Sequence, residues 1–281
     1  MDAIDVRSGS LPESSVAIGN FDGFHVGHRM LVGRAVAAAS SRGLRSVVLT
    51  FDRHPATIVR PESAPLLLTS VPRKLELLRA SGVDEVVVLR FDEERASEPA
   101  EDFVEAVLLG ELAARVVVVG ASFRFGHGQK GDVALLETMG AELGFAVDCL
   151  DLVDADAGDG DLPVSSSRIR SLLADGRVED AARLLGRPHE LEVLDPGQLE
   201  RAGWPGPDLD LAVVPGLVVP RPGRYVGAVA AAGGTGRPDA PRVGVRVPDD
   251  RPGTLVLEAS REEPPARPSL GTRAVVGFLS S

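Results

Sequence analysis

The chain has one cysteine, Cys149, among its 281 residues. A single cysteine excludes an internal disulfide and a zinc site built from several thiolates. Cys149 lies in the apolar run FAVDCLDL, so we expect a buried strand thiol rather than a nucleophile. Basic residues are also scarce, with 30 Lys and Arg against 41 Asp and Glu and a formal charge of −11. Because nucleic acids and anionic membranes bind basic faces, this balance argues against both as partners.

Long apolar stretches are missing too. The N-terminal segment MDAIDVRSGSLPESS has neither the basic start nor the apolar core of a signal peptide. No run has the length needed to cross a bilayer. We therefore expect a cytoplasmic protein, and the apolar fraction of 44% is that of a globular one.

Residues 1–186 alternate short β-branched runs with helical patterns. The predicted strands are SVAIGNF, RSVVLTF, DEVVVLRF, RVVVVGA and GFAVDCLDL. This alternation predicts an α/β domain with a doubly wound parallel, Rossmann-like sheet, in which ligands bind at the carboxyl ends of the strands. Gly144 and Gly186 each follow a helical pattern, where glycine ends a helix in the left-handed conformation.

The composition changes after Arg187, where proline and glycine become frequent. The remaining short strand patterns are DLAVV, RYVGAVAA, RVGVRV, GTLVLEA and RAVVGFL. They predict a small β domain or partial barrel. We therefore expect two domains, residues 1–186 and residues 187–281.

The segment Gly19–His28 reads GNFDGFHVGH and lies between the first predicted strand and the first predicted helix. Its glycines allow close backbone approach to a ligand, and a helix N-terminus suits a phosphate. His25 and His28 are three residues apart, so on a first helical turn they share a face and can donate to phosphate oxygens. A plain glycine turn with helix-capping histidines is the alternative. The coincidence of strand end, glycines and paired histidines favours phosphate binding.

Three further segments carry candidate ligand-binding residues. Ser165–Arg170 reads SSSRIR, whose serines can cap a helix or bind an anion, although an ordinary surface helix is equally compatible. Gly120–Gly126 follows the fourth predicted strand and Thr50–Pro55 follows the second. An aromatic ring and a histidine in the latter can wall a planar ligand, with core packing as the alternative for Phe51.

The motifs GNFDGFHVGH, TFDRHP, VGASFRFGHGQKGD, VSSSRIR and LLGRP occur together in one order. In that order and spacing, residues 14–188 resemble the prokaryotic bifunctional riboflavin kinase/FMN adenylyltransferases. HVGH resembles the HxGH motif of the wider nucleotidylyltransferase superfamily. The resemblance implies an FAD synthase that transfers AMP from ATP to FMN, with Mg²⁺ accompanying the ATP and FAD as the product.

The resemblance also implies roles for individual residues. It implies catalytic roles for His25, His28 and Arg170. It implies ATP binding by Gly19, Phe21, Asp22, Gly23, Gly27, Ser166 and Ser167. It implies flavin binding by Phe51, His54, Pro55, Ser122, Phe123, Arg124 and Phe125. No metal held by protein side chains is expected.

The sequence departs from the family pattern at two places. Ser122 stands where the family has Asp or Asn, and residues 190–281 lack the GxPTAN segment of the kinase domain, although PGRYVGAV and GTRAVVGFL weakly resemble its strands. We therefore expect a degenerate kinase domain without riboflavin kinase activity. Two alternatives stay open: an enzyme of the same type with another phosphate acceptor, and a non-catalytic flavin-nucleotide-binding protein.

Overall fold

A computed structural model describes residues 12–151, 154–156, 161–195, 197–198, 208–231, 242–258 and 274–280. These residues form two compact units that do not follow chain order. The sheet unit takes its residues from 1–21, 27–65 and 74–153, and the barrel unit from 22–26, 66–73 and 154–281. The domain boundary at residue 186 rests on composition and motifs rather than on packing, and it stays a prediction.

The sheet unit contains five parallel strands in the order β3-β2-β1-β4-β5. The strands are β1 (Ser14–Ile18), β2 (Arg45–Phe51), β3 (Glu85–Leu89), β4 (Ala114–Gly120) and β5 (Ala146–Leu150). β2 and β3 extend the sheet on one side of β1, and β4 and β5 then extend it on the other side. This order is that of a doubly wound sheet, so the predicted fold class is confirmed.

Helices connect these strands. They are α1 (Val26–Arg42), α2 (Ala56–Val59), α3 (Val71–Arg79), α4 (Glu93–Ser97), α5 (Ala100–Phe103, continued by a π-helix over Val104–Glu111) and α6 (Val133–Leu143). The central strands are buried on both faces, as Val47, Val48 and Leu49 show by being fully buried in succession. Gly144 ends α6 at φ 85°, which confirms the predicted helix end.

Cys149 lies on β5 and is exposed, so the prediction of a buried thiol was wrong. The physical reason is the position of β5 at the edge of the sheet, where β4 is its one partner strand among the described residues. The apolar residues of its run do not reveal this position. Residual burial, followed by the carboxylates of Asp151, Glu137 and Asp148, raises the pKa of the thiol.

The barrel unit contains a six-stranded antiparallel sheet in the order β8-β13-β10-β11-β12-β9. Its strands are β8 (His189–Glu192), β9 (Leu209–Ala212), β10 (Gly223–Ala231), β11 (Arg242–Val247), β12 (Thr254–Glu258) and β13 (Ala274–Ser280). Backbone hydrogen bonds from Leu194 to Ala212 and from Val214 to Glu192 join its two edges. The sheet therefore curls into a small barrel, as predicted, although the polar run HELE of β8 was not recognised as a strand.

Two helices pack against the barrel sheet, α7 (Ser166–Ala174) and α8 (Val178–Leu185). Ile169, Leu173 and Leu184 share one buried cluster with Val245 and Phe278. Gly186 ends α8 at φ 64°, as expected. Two short strands, β6 (Asp154–Asp156) and β7 (Asp161–Pro163), pair antiparallel. Within the described ranges, no helix is both long and apolar enough to cross a membrane.

Candidate active site

Three loops follow neighbouring strands at the carboxyl edge of the parallel sheet. We call them the β1 loop (Gly19–His25), the β2 loop (Asp52–Pro55) and the β4 loop (Ala121–Phe125). Because β1 lies between β2 and β4, these loops begin side by side. Residues 22–26, which include most of the β1 loop, belong to the barrel unit.

The start of the β1 loop is shaped by Phe21. Its backbone has φ 53°, a conformation that costs an L-residue free energy, and its ring is 1% exposed. The ring contacts that of His28 edge-on, with centroids 5.2 Å apart. A Cβ on Gly19 would lie 3.1 Å from the Phe21 ring, so this glycine makes room for it. The structure thus places Gly19, Phe21 and His28 together.

Lys74 on α3 is a residue that sequence reasoning missed. It is 4% exposed, and its Nζ donates to the carbonyl of Asn20 at 3.1 Å and to that of Phe51 at 2.9 Å. The sequence contains one signal for it. Lys74 lies four residues before the buried Leu78, on the apolar side of the helix, where a lysine is unusual.

The end of β2 and the β2 loop combine packing with hydrogen bonding. Phe51 contacts Phe91 edge-on at 5.4 Å between centroids. Nδ1 of His54 accepts the backbone N–H of Ala56 at 3.1 Å, and Pro55 directly precedes α2. Phe51 and His54 therefore make contacts that stabilise the loop itself, and both residues lie with Pro55 at the carboxyl edge of the parallel sheet, as predicted.

Asp52 links this loop to the end of β3. Its carboxylate accepts the backbone N–H of Phe91 at 2.8 Å and the guanidinium of Arg53. Burial acts to raise the pKa of Asp52, but the hydrogen bonds from Arg53 and Phe91 outweigh it and hold the pKa below its usual value. The loop is thus fixed by a charged carboxylate.

The β4 loop carries two stacked rings. Phe123 and Phe125 lie 5.4 Å apart at an interplanar angle of 16°. Phe125 is 8% exposed and also contacts Phe103, so it belongs to the core beneath Phe123. Ser122 and Arg124 are exposed. The predicted flavin residues of this loop therefore divide into a buried support and an accessible rim.

In the barrel unit, the carboxylate of Asp22 is the centre of a hydrogen-bond network. It accepts the backbone N–H groups of Leu68 and Thr69 at 3.0 and 3.2 Å, and Nη2 of Arg170 lies 2.5 Å away. The hydroxyl of Ser166 donates to the backbone carbonyl of Asp22 at 2.9 Å. Two predicted site residues, Ser166 and Arg170, thus contact a third, Asp22.

Arg187 supports the next part of the β1 loop. Its guanidinium donates to the carbonyl of Gly23 at 2.8 Å and to that of Phe24 at 3.3 Å. Phe24 has φ 38°, a conformation that is unfavourable for a residue with a side chain, so the arginine stabilises a strained turn. In the sequence analysis this arginine belongs to the LLGRP motif but has no predicted role.

The remaining predicted residues lie as follows. His25 is 5% exposed and directly precedes α1, which begins at Val26. His25 thus lies at the N-cap position of α1 and His28 in its first turn, and their shared contact with phosphate stays a prediction. Gly27 is the second residue of α1, and Ser167 is an exposed residue of α7. Among the described residues, no group of three or more His, Cys, Asp or Glu side chains is placed to hold a metal ion.

The family model of FAD synthetase matches residues 8–168, more than half of the chain. The chain belongs to the FAD synthetase family. A bifunctional riboflavin kinase/FMN adenylyltransferase of Escherichia coli K12 is 33% identical over 234 residues, covering 82% of this chain and 72% of the relative. The protein of the same description from Pseudomonas fluorescens is 36% identical over 174 residues, covering 62% and 54%.

A solved structure shows the same fold as this FAD synthetase family member. It is described as a macrolide-efflux protein from Streptococcus pneumoniae, with a TM-score of 0.74 and 25% identity over 97% of this chain and 86% of that one. Residues 1–186 are about two thirds of the chain, whereas the solved structure covers 97% of it and the Escherichia coli relative 82%, so both similarities extend beyond residue 186. The C-terminal part is therefore also related to these proteins.

Proposed function

We propose that this protein is an FAD synthase that transfers AMP from ATP to FMN and releases pyrophosphate. The observation that carries the proposal is the HVGH motif, which runs from the end of the β1 loop into α1 after the central strand of a doubly wound sheet, in a chain of the FAD synthetase family. Relatives that carry the name FMN adenylyltransferase support the same reaction.

The reaction needs no covalent intermediate on the protein. A phosphate oxygen of FMN attacks the α-phosphorus of ATP and forms the new P–O bond. The bond from the α-phosphorus to the bridging oxygen breaks, and that oxygen leaves as part of pyrophosphate. Mg²⁺ enters with ATP as part of the substrate, bound mainly by phosphates and water. The protein contributes positioning and electrostatic stabilisation of the phosphoryl oxygens.

We assign the phosphate-binding roles to residues of the β1 loop, α1 and α7. His25 and His28 donate hydrogen bonds to the phosphates as charge builds at the α-phosphorus. Gly19, Gly23 and Gly27 let the backbone approach the nucleotide. Arg170 uses Nε and Nη2 to hold the loop, through Leu66 and Asp22, and we assign its Nη1 group to the triphosphate. The hydroxyl of Ser167, which is exposed at the start of α7, is assigned to the same anion.

We assign the flavin to the β2 and β4 loops, which follow the two strands that pair with β1. Phe51, His54 and Pro55 form one wall in this proposal, and Phe123 with the exposed Ser122 and Arg124 forms the other. Phe125 acts from below by stacking on Phe123. Ser122 can donate a hydrogen bond to the acceptor phosphate but carries no charge.

We further propose that the barrel unit has no riboflavin kinase activity, because residues 190–281 lack the GxPTAN segment. FMN must then come from another protein of the same cell. Both ATP and FMN are metabolites of the cytoplasm, and we propose that the reaction takes place there.

The test is a chromatographic assay of the purified protein with ATP and Mg²⁺, given FMN in one reaction and riboflavin in another. We expect FAD and pyrophosphate from FMN and no FMN or FAD from riboflavin. If pyrophosphate is released only when a different phosphate acceptor is supplied, that acceptor takes the place of FMN in the proposal. Tight FMN or FAD binding without any turnover would indicate a binding protein instead.

A histidine variant makes the assay specific for the proposed site. His28→Asn should lower kcat by about 100-fold, the range seen when one donor to a developing negative charge is removed. His127→Asn, at an exposed position between β4 and α6, is the matched control and should leave kcat unchanged. Equal activity of both variants would exclude His28 from the reaction.

A further inference from the structure

We propose that Lys74 is a positioning residue that fixes the start of the β1 loop and the end of β2 relative to each other, and thereby aligns nucleotide and flavin. The inference rests on the proposed function. It concerns a side chain outside all the motifs described above.

The geometry places one ammonium group against two loops. Nζ of Lys74 donates to the carbonyl of Asn20 at 3.1 Å and to that of Phe51 at 2.9 Å. The hydroxyl of Thr50 donates to the same Asn20 carbonyl at 3.2 Å. Because Asn20 follows β1 and Phe51 ends β2, a single side chain connects the two adjacent strands where their loops begin.

Burial argues against a purely space-filling role for this lysine. The residue is only 4% exposed, and removing an ammonium from water is unfavourable. A methionine of similar length fills such a position without that penalty. The ammonium adds two directional hydrogen bonds, which hold the two carbonyls at fixed positions. Hydrogen bonds from a charged donor are stronger than those between neutral groups.

Fixing the Asn20 carbonyl also fixes the residues that follow. In a trans peptide the N–H of Phe21 lies opposite the carbonyl of Asn20, so the Lys74 contact sets the orientation of the whole peptide plane. Phe21 then takes its positive φ, and its ring contacts His28. Lys74 is thus connected through Asn20 and Phe21 to a proposed phosphate-binding histidine.

Lys74→Met tests this role, with Leu78→Ala as the matched control. Both positions lie on α3 and are buried, but Leu78 is 0% exposed and contributes packing alone. We expect Lys74→Met to lower kcat/KM by about 100-fold for ATP and for FMN alike, as misplacement of reacting groups by about 1 Å does. Leu78→Ala should lower the thermal stability at least as much while keeping both values within about twofold of the parent.

Three results would overturn the inference: a kcat/KM of Lys74→Met within about threefold of the parent, equal losses of kcat/KM in both variants, or a loss confined to one substrate.

If Lys74→Met does not fold, Thr50→Val gives an independent answer, because it removes only the hydroxyl that also donates to the Asn20 carbonyl. It should raise KM for ATP by about fivefold and leave KM for FMN unchanged. An unchanged KM for ATP would contradict the role of the Asn20 carbonyl. A parent enzyme that makes no FAD would instead refute the proposed function itself.

Discussion

Nη2 of Arg170 lies 2.5 Å from Oδ2 of Asp22, and Nε of the same arginine donates to the carbonyl of Leu66 at 2.7 Å. The arginine of α7 thus connects residues 22–26 to residues 66–73 within the barrel unit. The two side chains are only 18% and 4% exposed, so water screens the pair little. Breaking such a pair leaves a buried charge without its partner.

A double-mutant cycle measures this pair. Asp22→Asn and Arg170→Met should each lower the free energy of unfolding by about 3 kcal/mol, and the coupling energy should exceed about 1 kcal/mol. The measurement is urea unfolding of the parent, both single variants and the double variant. The exposed pair Arg34–Asp148 is the control, since its arginine is 60% exposed and its coupling should stay below about 1 kcal/mol. Equal coupling in the two pairs would contradict the buried geometry.

Gly23 should tolerate alanine far less well than Gly43. Both have positive φ, 79° and 67°, so each substitution costs about 1 kcal/mol from the backbone alone. At Gly23 a Cβ would also lie 2.8 Å from Cδ1 of Leu68, whereas at Gly43 nothing lies within 4 Å. We expect Gly23→Ala to lower the melting temperature more than Gly43→Ala and to reduce FAD formation at least about tenfold. Similar melting temperatures and activities would show that the turn has room to adjust.

The fold of the sheet unit could be predicted because its information is local. β-branched runs such as that of β4 alternate with helical patterns, and glycines such as Gly144 mark where helices end. The positions of the three loops then follow from topology, since the carboxyl ends of parallel strands share one edge. The barrel strands were recognisable for the same reason, except β8, whose alternating HELE run reads as polar.

The contacts that support the site could not be predicted in this way. Lys74 and Arg187 both donate to backbone carbonyls that are distant in sequence. A lysine on the apolar side of α3 is unusual, but nothing in the sequence indicates which carbonyls it contacts. Exposure of Cys149 depends on which strand forms the sheet edge, which no single run records. Likewise, the packing of α7 and α8 on the barrel sheet depends on long-range burial of residues such as Leu173.

Cys149 should react as an accessible but sluggish thiol without a role in the reaction. A disulfide reagent should label one thiol per native chain, since the sequence contains one cysteine and it is exposed. The raised pKa lowers the thiolate fraction, so labelling at pH 8 should be slower than that of free cysteine. Cys149→Ser should form FAD at the parental rate. Loss of activity in this variant would mean that the thiol contributes to the site after all.

His189 on β8 is a buried titratable group with an exposed fraction of 1%. Its Nε2 donates to the carbonyl of Val218 at 2.8 Å, and its ring stacks on Phe278 with centroids 6.2 Å apart. Complete burial lowers its pKa to about 4, the Val218 carbonyl acts in the opposite direction, and the charge of Arg187 adds to the lowering. The folded protein therefore holds this histidine neutral.

Acid should destabilise the barrel unit through this histidine. Between pH 6.5 and about 4 the unfolded chain binds a proton at His189 that the folded chain does not, so the free energy of unfolding falls as the pH falls through this window. The full stabilisation is present above pH 6.5, and its loss amounts to at most about 3 kcal/mol. Urea unfolding of the parent and of His189→Gln at pH 7 and pH 4.5 measures it. The parent should lose its advantage over the variant on acidification, because glutamine does not titrate and all other groups are shared. An advantage that is the same at both pH values would mean that the histidine is protonated alike in the folded and unfolded states.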